Sequence, residues 1–233
     1  METMIDCGAS ALELGFAFSD PIADGPTIQR AACATLASGF KVSDGFELVR
    51  QARALDSDIP IGLLVYYNMV LVRGTESFFR EAAEAGADGV LIADLPPEAA
   101  EEITPAAAKF GIAPLFIVSP LTTSDRLDLI LRSAGGFLYA VSRLGVTGVH
   151  EKYDAQLKDL LDRVHRQTDL PVLVGFGVST PEQARHMIAL GADGVITGSK
   201  IFDLVDAAPI EDRETSLRNY LRSMSGPASA VRS

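Results

Sequence analysis

Short apolar runs recur along the whole chain, and longer stretches rich in polar residues separate them. Within each run the apolar positions are continuous rather than alternating, which is typical of parallel strands that are buried on both faces. The predicted strands are SALELG (10–15), IPIGLLVYY (59–67), GVLIAD (89–94), IAPLFIVS (112–119), GFLYAVS (136–142), LPVLVGFG (170–177) and DGVITGS (193–199).

The stretches between the strands space their apolar residues as amphipathic helices do. The predicted helices include GTESFFREAAEAGA (74–87), PPEAAEEITPAAAKFG (96–111), TSDRLDLILRSAGG (123–136) and TPEQARHMIALGA (180–192). Three junctions, CGASALEL (7–14), AGADGVLI (85–92) and LGADGVIT (190–197), are nearly the same phrase. In each of them a left-handed glycine is expected to end a helix before a short turn leads into a buried strand.

This alternation of strands and helices fits either a doubly wound sheet or a (β/α)8 TIM barrel with one strand unaccounted for. A doubly wound nucleotide-binding domain usually carries a glycine-rich fingerprint after its first strand, and no G-x-G-x-x-G opens a helix here. We therefore predict an α/β fold of the barrel type. The 233 residues, 48% of them hydrophobic, suit a single domain that spans residues 1–233.

The composition excludes some classes of function. A formal net charge of −11 and the absence of a stripe of basic residues argue against a nucleic-acid partner. Neither Cys7 nor Cys33 has the spacing of a metal ligand, and no apolar run approaches the ~20 residues of a membrane span. No basic segment precedes an apolar stretch at the start of the chain, so a reduced protein located in the cytoplasm is expected.

Glu13 lies between Leu12 and Leu14 at the end of the first predicted strand. In a barrel, such strand ends carry the chemistry. A carboxylate in an apolar setting has a raised pKa, which suits it to exchange protons near neutral pH. A surface glutamate is the alternative, but the flanking leucines make that interpretation poor.

Asp24 follows in the loop SDPIADGPT, where prolines limit the backbone and a glycine permits an unusual turn. An ordinary role in the turn, or in capping the helix that follows, is open for this residue. A second carboxylate above the first could instead bind an N–H or hydroxyl group of a ligand, so that the two acids divide two roles.

Two glycine-containing turns, GFGVST (175–180) and ITGSK (196–200), follow strands and precede helices. Backbone N–H groups at helix N-termini bind anions without a cationic side chain, and barrels often hold phosphate after their last two strands. Glycine turns and serine capping are the plain alternative for either turn alone. The pair predicts a phosphate site, and SRLGVTGVHEKY (142–153) is expected to form a lid over the same ligand.

The ionisable residues limit the mechanism. None of the five lysines lies within a predicted strand, so a Schiff-base nucleophile is not evident. The three histidines are scattered and form no metal-binding motif. Chemistry by proton transfer remains, and cleavage of a carbon–carbon bond by proton transfer alone needs a substrate whose own ring can accept electrons.

The stretch ALELGFAFSDPIADGPTIQ resembles the signature of the tryptophan synthase alpha chain family, and GLLVYYN, GVLIADLP, SRLGVTG, GFGVS and ITGS follow in the family's order. The resemblance covers essentially the whole chain. It implies a (β/α)8 barrel that cleaves indole-3-glycerol phosphate to indole and glyceraldehyde 3-phosphate by a retro-aldol reaction. The alpha chain would use no cofactor, and pyridoxal phosphate is expected only in a beta chain, with which it forms an α2β2 heterotetramer.

The same resemblance implies roles for individual residues. Glu13 matches the general acid/base, Asp24 the carboxylate that engages the indole N–H, and Tyr139 a tyrosine near the catalytic glutamate. The phosphate-binding backbone and hydroxyl donors are matched by Gly148, Gly177, Gly198 and Ser199. The indole pocket is matched by Leu64, Tyr66, Leu91, Ala93 and Ile117, for which ordinary core packing is the alternative, and Thr147 belongs to the lid. The loops 16–25 and 143–153 would face the beta chain.

Two features depart from the family. Ala17 stands where the family usually has proline, and the family has a strand and most of a helix before the point where METMIDCGASALELG begins. We therefore expect that strand 1 of the barrel is absent, that Met1 is an internal methionine, and that the chain as given is poorly soluble or nearly inactive. A non-catalytic docking subunit and another barrel enzyme acting on phosphorylated sugars are the competing hypotheses.

Overall fold

The computed structural model of the chain describes residues 1–141, 150–175 and 177–228. It contains two compact units, which are described in turn. The first comprises Met1–Phe116 and Ser133–Gly136, and the second comprises Ile117–Arg132 and the described residues from Phe137 onward. The prediction of a single domain stays a prediction.

In the first unit, parallel strands alternate with helices as the sequence predicts. Strand β1 pairs with β2, β2 with β3, and β3 with the first half of β4, all in parallel. The elements of this unit are α1 (Glu2–Asp6), β1 (Leu12–Gly15), α2 (Pro26–Ala37), α3 (Val42–Leu55), β2 (Ile61–Val65), α4 (Tyr67–Arg73), α5 (Thr75–Ala85), β3 (Gly89–Ile92), a 3-10 helix (Pro97–Glu102), α6 (Thr104–Phe110) and β4 (Ala113–Val118), whose last two residues belong to the second unit.

The second unit continues the same alternation. Its elements are α7 (Ser124–Leu131), β5 (Leu138–Val141), α8 (His150–His165), β6 (Val172–Gly175), α9 (Pro181–Ala189), β7 (Gly194–Val195), α10 (Ser199–Ala207), a 3-10 helix (Ile210–Asp212) and α11 (Arg213–Ala228). Strand β5 pairs with β6 and β6 with β7, again in parallel. All seven predicted strands are therefore confirmed among the described residues.

Two of the predicted boundaries need correction. The pattern over residues 96–111 predicts one helix, but the structure has a 3-10 helix followed by α6, because Pro105 can start a helix and cannot continue one. The predicted strand at 59–67 ends at Val65, and the helix α4, which the sequence analysis did not predict, begins at Tyr67. The apolar run passes from strand to helix without a polar break, so its pattern could not show the boundary.

The repeated junctions are confirmed in detail. Gly8, Gly86 and Gly191 all have a positive φ, of 84°, 97° and 113°. The two GADGV phrases also make the same side-chain bond. Asp88 Oδ2 accepts the N–H of Ile61 at 2.7 Å, and Asp193 Oδ2 accepts the N–H of Val172 at 2.8 Å. Each aspartate thus ties the start of its own strand to the start of the preceding strand.

A basic side chain near the end of a helix, α3 or α8, completes each of these ties. Arg53 Nη2 lies 2.7 Å from Asp88 Oδ2, and His165 Nε2 lies 2.9 Å from Asp193 Oδ2. Arg53 also donates to the carbonyl oxygens of Gly86 and Ile59. The repeated GADGV sequence thus indicates a repeated set of contacts that links one helix to two strands.

Candidate active site

Glu13 occupies the middle of β1, and the strand's alternation separates it from its leucine neighbours. Leu12 packs in the core cluster that the helices of this unit share with the strands, so Glu13 faces the opposite side of the sheet. Its row continues across β2 and β3 as Gly62 and Gly89, and the Leu115 side chain lies over both glycines. The carboxylate therefore lies on an apolar face.

The burial of Glu13 has an electrostatic consequence. Although the residue as a whole is half-buried, its Oε1 atom is inaccessible to solvent and has no hydrogen-bond partner among the described residues. Burial, and secondarily the charge of Asp24, raise the pKa of Glu13 from 4.5 to about 7. The group can therefore both give and accept a proton near neutral pH, as the sequence predicts.

Asp24 lies in the loop between β1 and α2, and its carboxylate does not cap that helix. The N-cap of α2 is Gly25, and no side-chain bond caps the helix. Instead, the Tyr66 hydroxyl donates to Asp24 Oδ2 at 3.0 Å. Burial raises the pKa of Asp24, while the bond from Tyr66 opposes that rise. The two acids thus have unlike settings, because among the described residues Asp24 accepts a hydrogen bond and the buried Oε1 atom of Glu13 does not.

The candidate pocket residues of the first unit follow the ends of β2 and β3. Leu64 and Leu91 are neighbours in register and lie on the same sheet face as Glu13. Ala93 comes directly after β3, and its N–H donates to the Val65 carbonyl at 2.9 Å. The structure thus brings Leu64 and Leu91 to the sheet face that carries the catalytic candidate and places Ala93 just beyond the end of β3, and their contact with indole stays a prediction.

In the second unit, Ile117 lies half-buried near the end of β4 and Tyr139 half-buried on β5. Tyr139 packs against a position that sequence reasoning missed. A Cβ atom built on Gly175 of β6 would lie 2.2 Å from the Tyr139 hydroxyl oxygen, so this contact requires glycine. The first glycine of GFGVST therefore makes room for a tyrosine, and it need not contact an anion.

The two candidate phosphate turns differ in how their helices begin. At α9, Thr180 accepts the N–H of Gln183, and the Gln183 side chain accepts the N–H groups of Ser179 and Thr180. This capping box occupies N–H groups at the start of α9, and the phosphate-binding role of Gly177 stays a prediction. Gly177, left-handed with a φ of 88°, lies before the box and is exposed.

The α10 helix begins in the open way that an anion site needs. Gly198 is its N-cap, no side chain caps the helix, and both Gly198 and Ser199 are exposed. A Cβ atom built on Gly198 would meet nothing within 4 Å. The preceding Thr197 is held by a 2.6 Å hydrogen bond between its Oγ1 and the Tyr220 hydroxyl on α11, a contact that the sequence analysis did not predict.

Gly148 and Thr147, predicted as phosphate-binding and lid residues, lie outside the described residues. Within the described ranges, no group of three or more His, Cys, Asp or Glu side chains is arranged to hold a metal ion. In the same part of the chain, no helix has both the length and the apolar composition needed to cross a membrane.

Parallel strands that alternate with helices, together with a buried carboxylate of raised pKa on the first strand, define an enzyme of the βα-barrel class. The sequence profile of the family described as "Tryptophan synthase alpha chain" matches residues 1–230. The chain belongs to this family. It is a lyase and has the role of the alpha subunit in tryptophan biosynthesis.

Relatives and solved structures agree on the family and the fold. The tryptophan synthase alpha chain of Methanoregula boonei is 46% identical over 225 residues, which cover 96% of this chain and 84% of the relative. That of Methanothermobacter thermautotrophicus is 46% identical over 231 residues, covering 99% and 84%. The crystal structure of tryptophan synthase subunit alpha from Legionella pneumophila matches with a TM-score of 0.89 at 36% identity, covering 99% and 86%. The predicted TIM-barrel class is thus confirmed.

A chain from the tryptophan synthase α2β2 complex of Pyrococcus furiosus matches with a TM-score of 0.86 at 38% identity. The match covers 96% of this chain and 89% of the Pyrococcus chain.

Proposed function

We propose that this chain cleaves indole-3-glycerol phosphate to indole and glyceraldehyde 3-phosphate by proton transfer, without a metal or cofactor of its own. The observation that carries the proposal is the buried Oε1 atom of Glu13, which has no partner among the described residues and belongs to a carboxyl group with a pKa of about 7. Such a group is half-protonated at the pH at which a biosynthetic enzyme works, so it can serve as an acid and as a base in one cycle.

In the proposed reaction, Glu13 gives a proton to indole C3 and so turns the ring into an electron acceptor. The bond from C3 to the glycerol side chain then breaks, and its electron pair returns to the ring. Glu13 helps take the proton of the adjacent glycerol hydroxyl, whose carbon becomes the aldehyde. One proton is given and one is taken, so the enzyme returns to its starting state.

Asp24 assists by accepting the indole N–H, whose nitrogen becomes positive when C3 is protonated. An ionised carboxylate stabilises that charge, and the bond from Tyr66 favours the ionised form. Leu64, Leu91, Ala93 and Ile117 would line the indole pocket. For Tyr139, the family resemblance implies a role near the catalytic glutamate, and that role stays a prediction.

The phosphate group of the substrate is assigned to the turn at the start of α10. The exposed, uncapped N-terminus at Gly198 and Ser199 offers N–H donors and the positive end of the helix dipole. Gly177 and Gly148 would add backbone donors, and Thr147 would belong to a lid over the same ligand.

The assembly proposed for this chain is an α2β2 heterotetramer with a tryptophan synthase beta chain in the cytoplasm, the beta chain alone carrying pyridoxal phosphate. The fold that it shares with the alpha chain of the Pyrococcus furiosus α2β2 complex supports this partner.

We expect the chain alone to release indole from indole-3-glycerol phosphate only slowly, and to do so faster when a beta chain is added. Indole release measured with and without the beta chain tests this expectation. A chain that stimulates the beta chain but releases no indole would be a docking subunit. A chain that neither releases indole nor binds indole and phosphate would contradict the proposal.

Replacing Gly198 by valine is expected to weaken phosphate binding while the protein folds normally. A Cβ atom at this position meets no protein atom within 4 Å, so the side chain would occupy the space assigned to the anion. Titration with inorganic phosphate and with indole measures the effect, and we expect the affinity for phosphate alone to fall. The matched control is Ala207→Val, which adds valine at the exposed last residue of the same helix. An equal fall in the affinity for indole would assign Gly198 to packing.

A further inference from the structure

Tyr66 makes three contacts to one loop, the segment between β1 and α2 that carries Asp24. Its hydroxyl donates to Asp24 Oδ2 at 3.0 Å and accepts the N–H of Ala23 at 3.1 Å. Its ring stacks on Phe18, with centroids 5.0 Å apart and planes at 20°. Tyr66 itself is only 1% exposed, so packing in the core fixes the position of the side chain that makes these contacts.

The direction of the two hydrogen bonds follows from their partners. The Ala23 N–H can only donate, so it uses a lone pair of the phenol oxygen and leaves the single phenol proton to Asp24. This donation engages Oδ2 alone. The second oxygen, Oδ1, can accept the indole N–H without breaking the bond to Tyr66.

We propose that Tyr66 is a positioning residue, which holds the loop between β1 and α2 so that Asp24 presents an ionised carboxylate to the indole nitrogen. The inference rests on the proposed function. It differs from the role in pocket lining that the family resemblance implies, because it acts through Asp24.

The charges around this contact support the assignment. Burial raises the pKa of Tyr66, as do the charges of Asp24 and Asp94, so the phenol keeps its proton over the working range. Burial also raises the pKa of Asp24, and the phenol opposes this rise. The charge of Asp24 in turn helps to raise the pKa of Glu13. Without the hydroxyl, a larger share of Asp24 is neutral at a given pH.

The test is Tyr66→Phe, which keeps the ring on Phe18 and removes only the hydroxyl. We expect kcat/KM for indole-3-glycerol phosphate to fall about 10- to 100-fold, the range of a hydrogen bond to a charged group. We also expect the acid limb of the pH profile to move to higher pH, because the pKa of Asp24 rises when the hydrogen bond from Tyr66 is lost. Binding of inorganic phosphate should not change. The matched control is Tyr67→Phe, the neighbouring residue, whose hydroxyl bonds to Glu102 instead.

Two further measurements decide between positioning and packing. When Asp24 is already replaced by asparagine, adding Tyr66→Phe should lower kcat/KM by less than about twofold, because the two substitutions remove the same interaction. Amide hydrogen exchange at Ala23 should accelerate in Tyr66→Phe and stay unchanged in Tyr67→Phe. Three results would each overturn the inference. They are an equal loss of kcat/KM on Tyr66→Phe with and without the Asp24 carboxylate, a pH profile that does not shift, and unchanged amide exchange at Ala23. Because the exchange needs no turnover, it separates failure of the inference from failure of the proposed function.

Discussion

Replacing Glu13 by glutamine is expected to slow the release of indole about 10²- to 10⁴-fold, the usual contribution of a general acid or base. The amide has nearly the same shape as the carboxyl group but cannot exchange a proton. Since Oε1 has no hydrogen-bond partner among the described residues, the substitution removes no bond seen there. Single-turnover cleavage of indole-3-glycerol phosphate in the presence of a beta chain measures the effect directly.

The control for this substitution is Glu102→Gln, which changes an exposed carboxylate bonded to Tyr67. We expect it to leave turnover near that of the unsubstituted chain. Glu13→Gln should also keep its affinity for indole and for phosphate, because the loss is confined to the proton transfer. Near-normal cleavage by Glu13→Gln would remove Glu13 from the mechanism.

The sequence indicates the apolar setting of Glu13 because the signal for it is local. Leu12 and Leu14 indicate an apolar setting for Glu13, and the raised pKa bears that out. For Asp24 the sequence leaves two roles possible, helix capping and ligand binding, and only the three-dimensional contacts distinguish them. The decisive contact joins Asp24 to Tyr66, which is 42 residues away along the chain. No periodicity along the sequence can show such a pair.

The phosphate turns show a different limit of the sequence analysis. Both turns contain glycine, follow a predicted strand and precede a predicted helix, so the sequence gives the same prediction for each. The distinguishing signal was nevertheless present, because Thr180 and Gln183 have the spacing of a capping box. The role of Gly175 was hidden, since only the packing of Tyr139 from the neighbouring strand shows why a side chain is excluded.

The apolar setting that raises the pKa of Glu13 must also reduce the stability of the fold at neutral pH. Below pH 4.5 the carboxyl group is protonated in both the folded and the unfolded chain, and it has no effect on the balance. Between pH 4.5 and about 7 the unfolded chain releases this proton while the folded chain keeps it. The free energy of unfolding therefore falls as the pH rises through this window.

Glu13→Gln is accordingly expected to be more stable than the unsubstituted chain at pH 8, by up to about 3 kcal/mol, at about 1.4 kcal/mol for each pH unit between 4.5 and 7. At pH 4.5 the two chains should differ little, because the carboxyl group is then neutral in the folded chain and only half ionised in the unfolded chain. Urea unfolding at the two pH values gives the two differences, and comparing the chains cancels the titration of every other group. If the two chains differed in their free energy of unfolding by the same amount at pH 8 and at pH 4.5, ionisation of Glu13 would not destabilise the folded chain. A gain confined to pH 8 would show that the chain gives up stability by holding in an apolar setting a carboxyl group that titrates near pH 7.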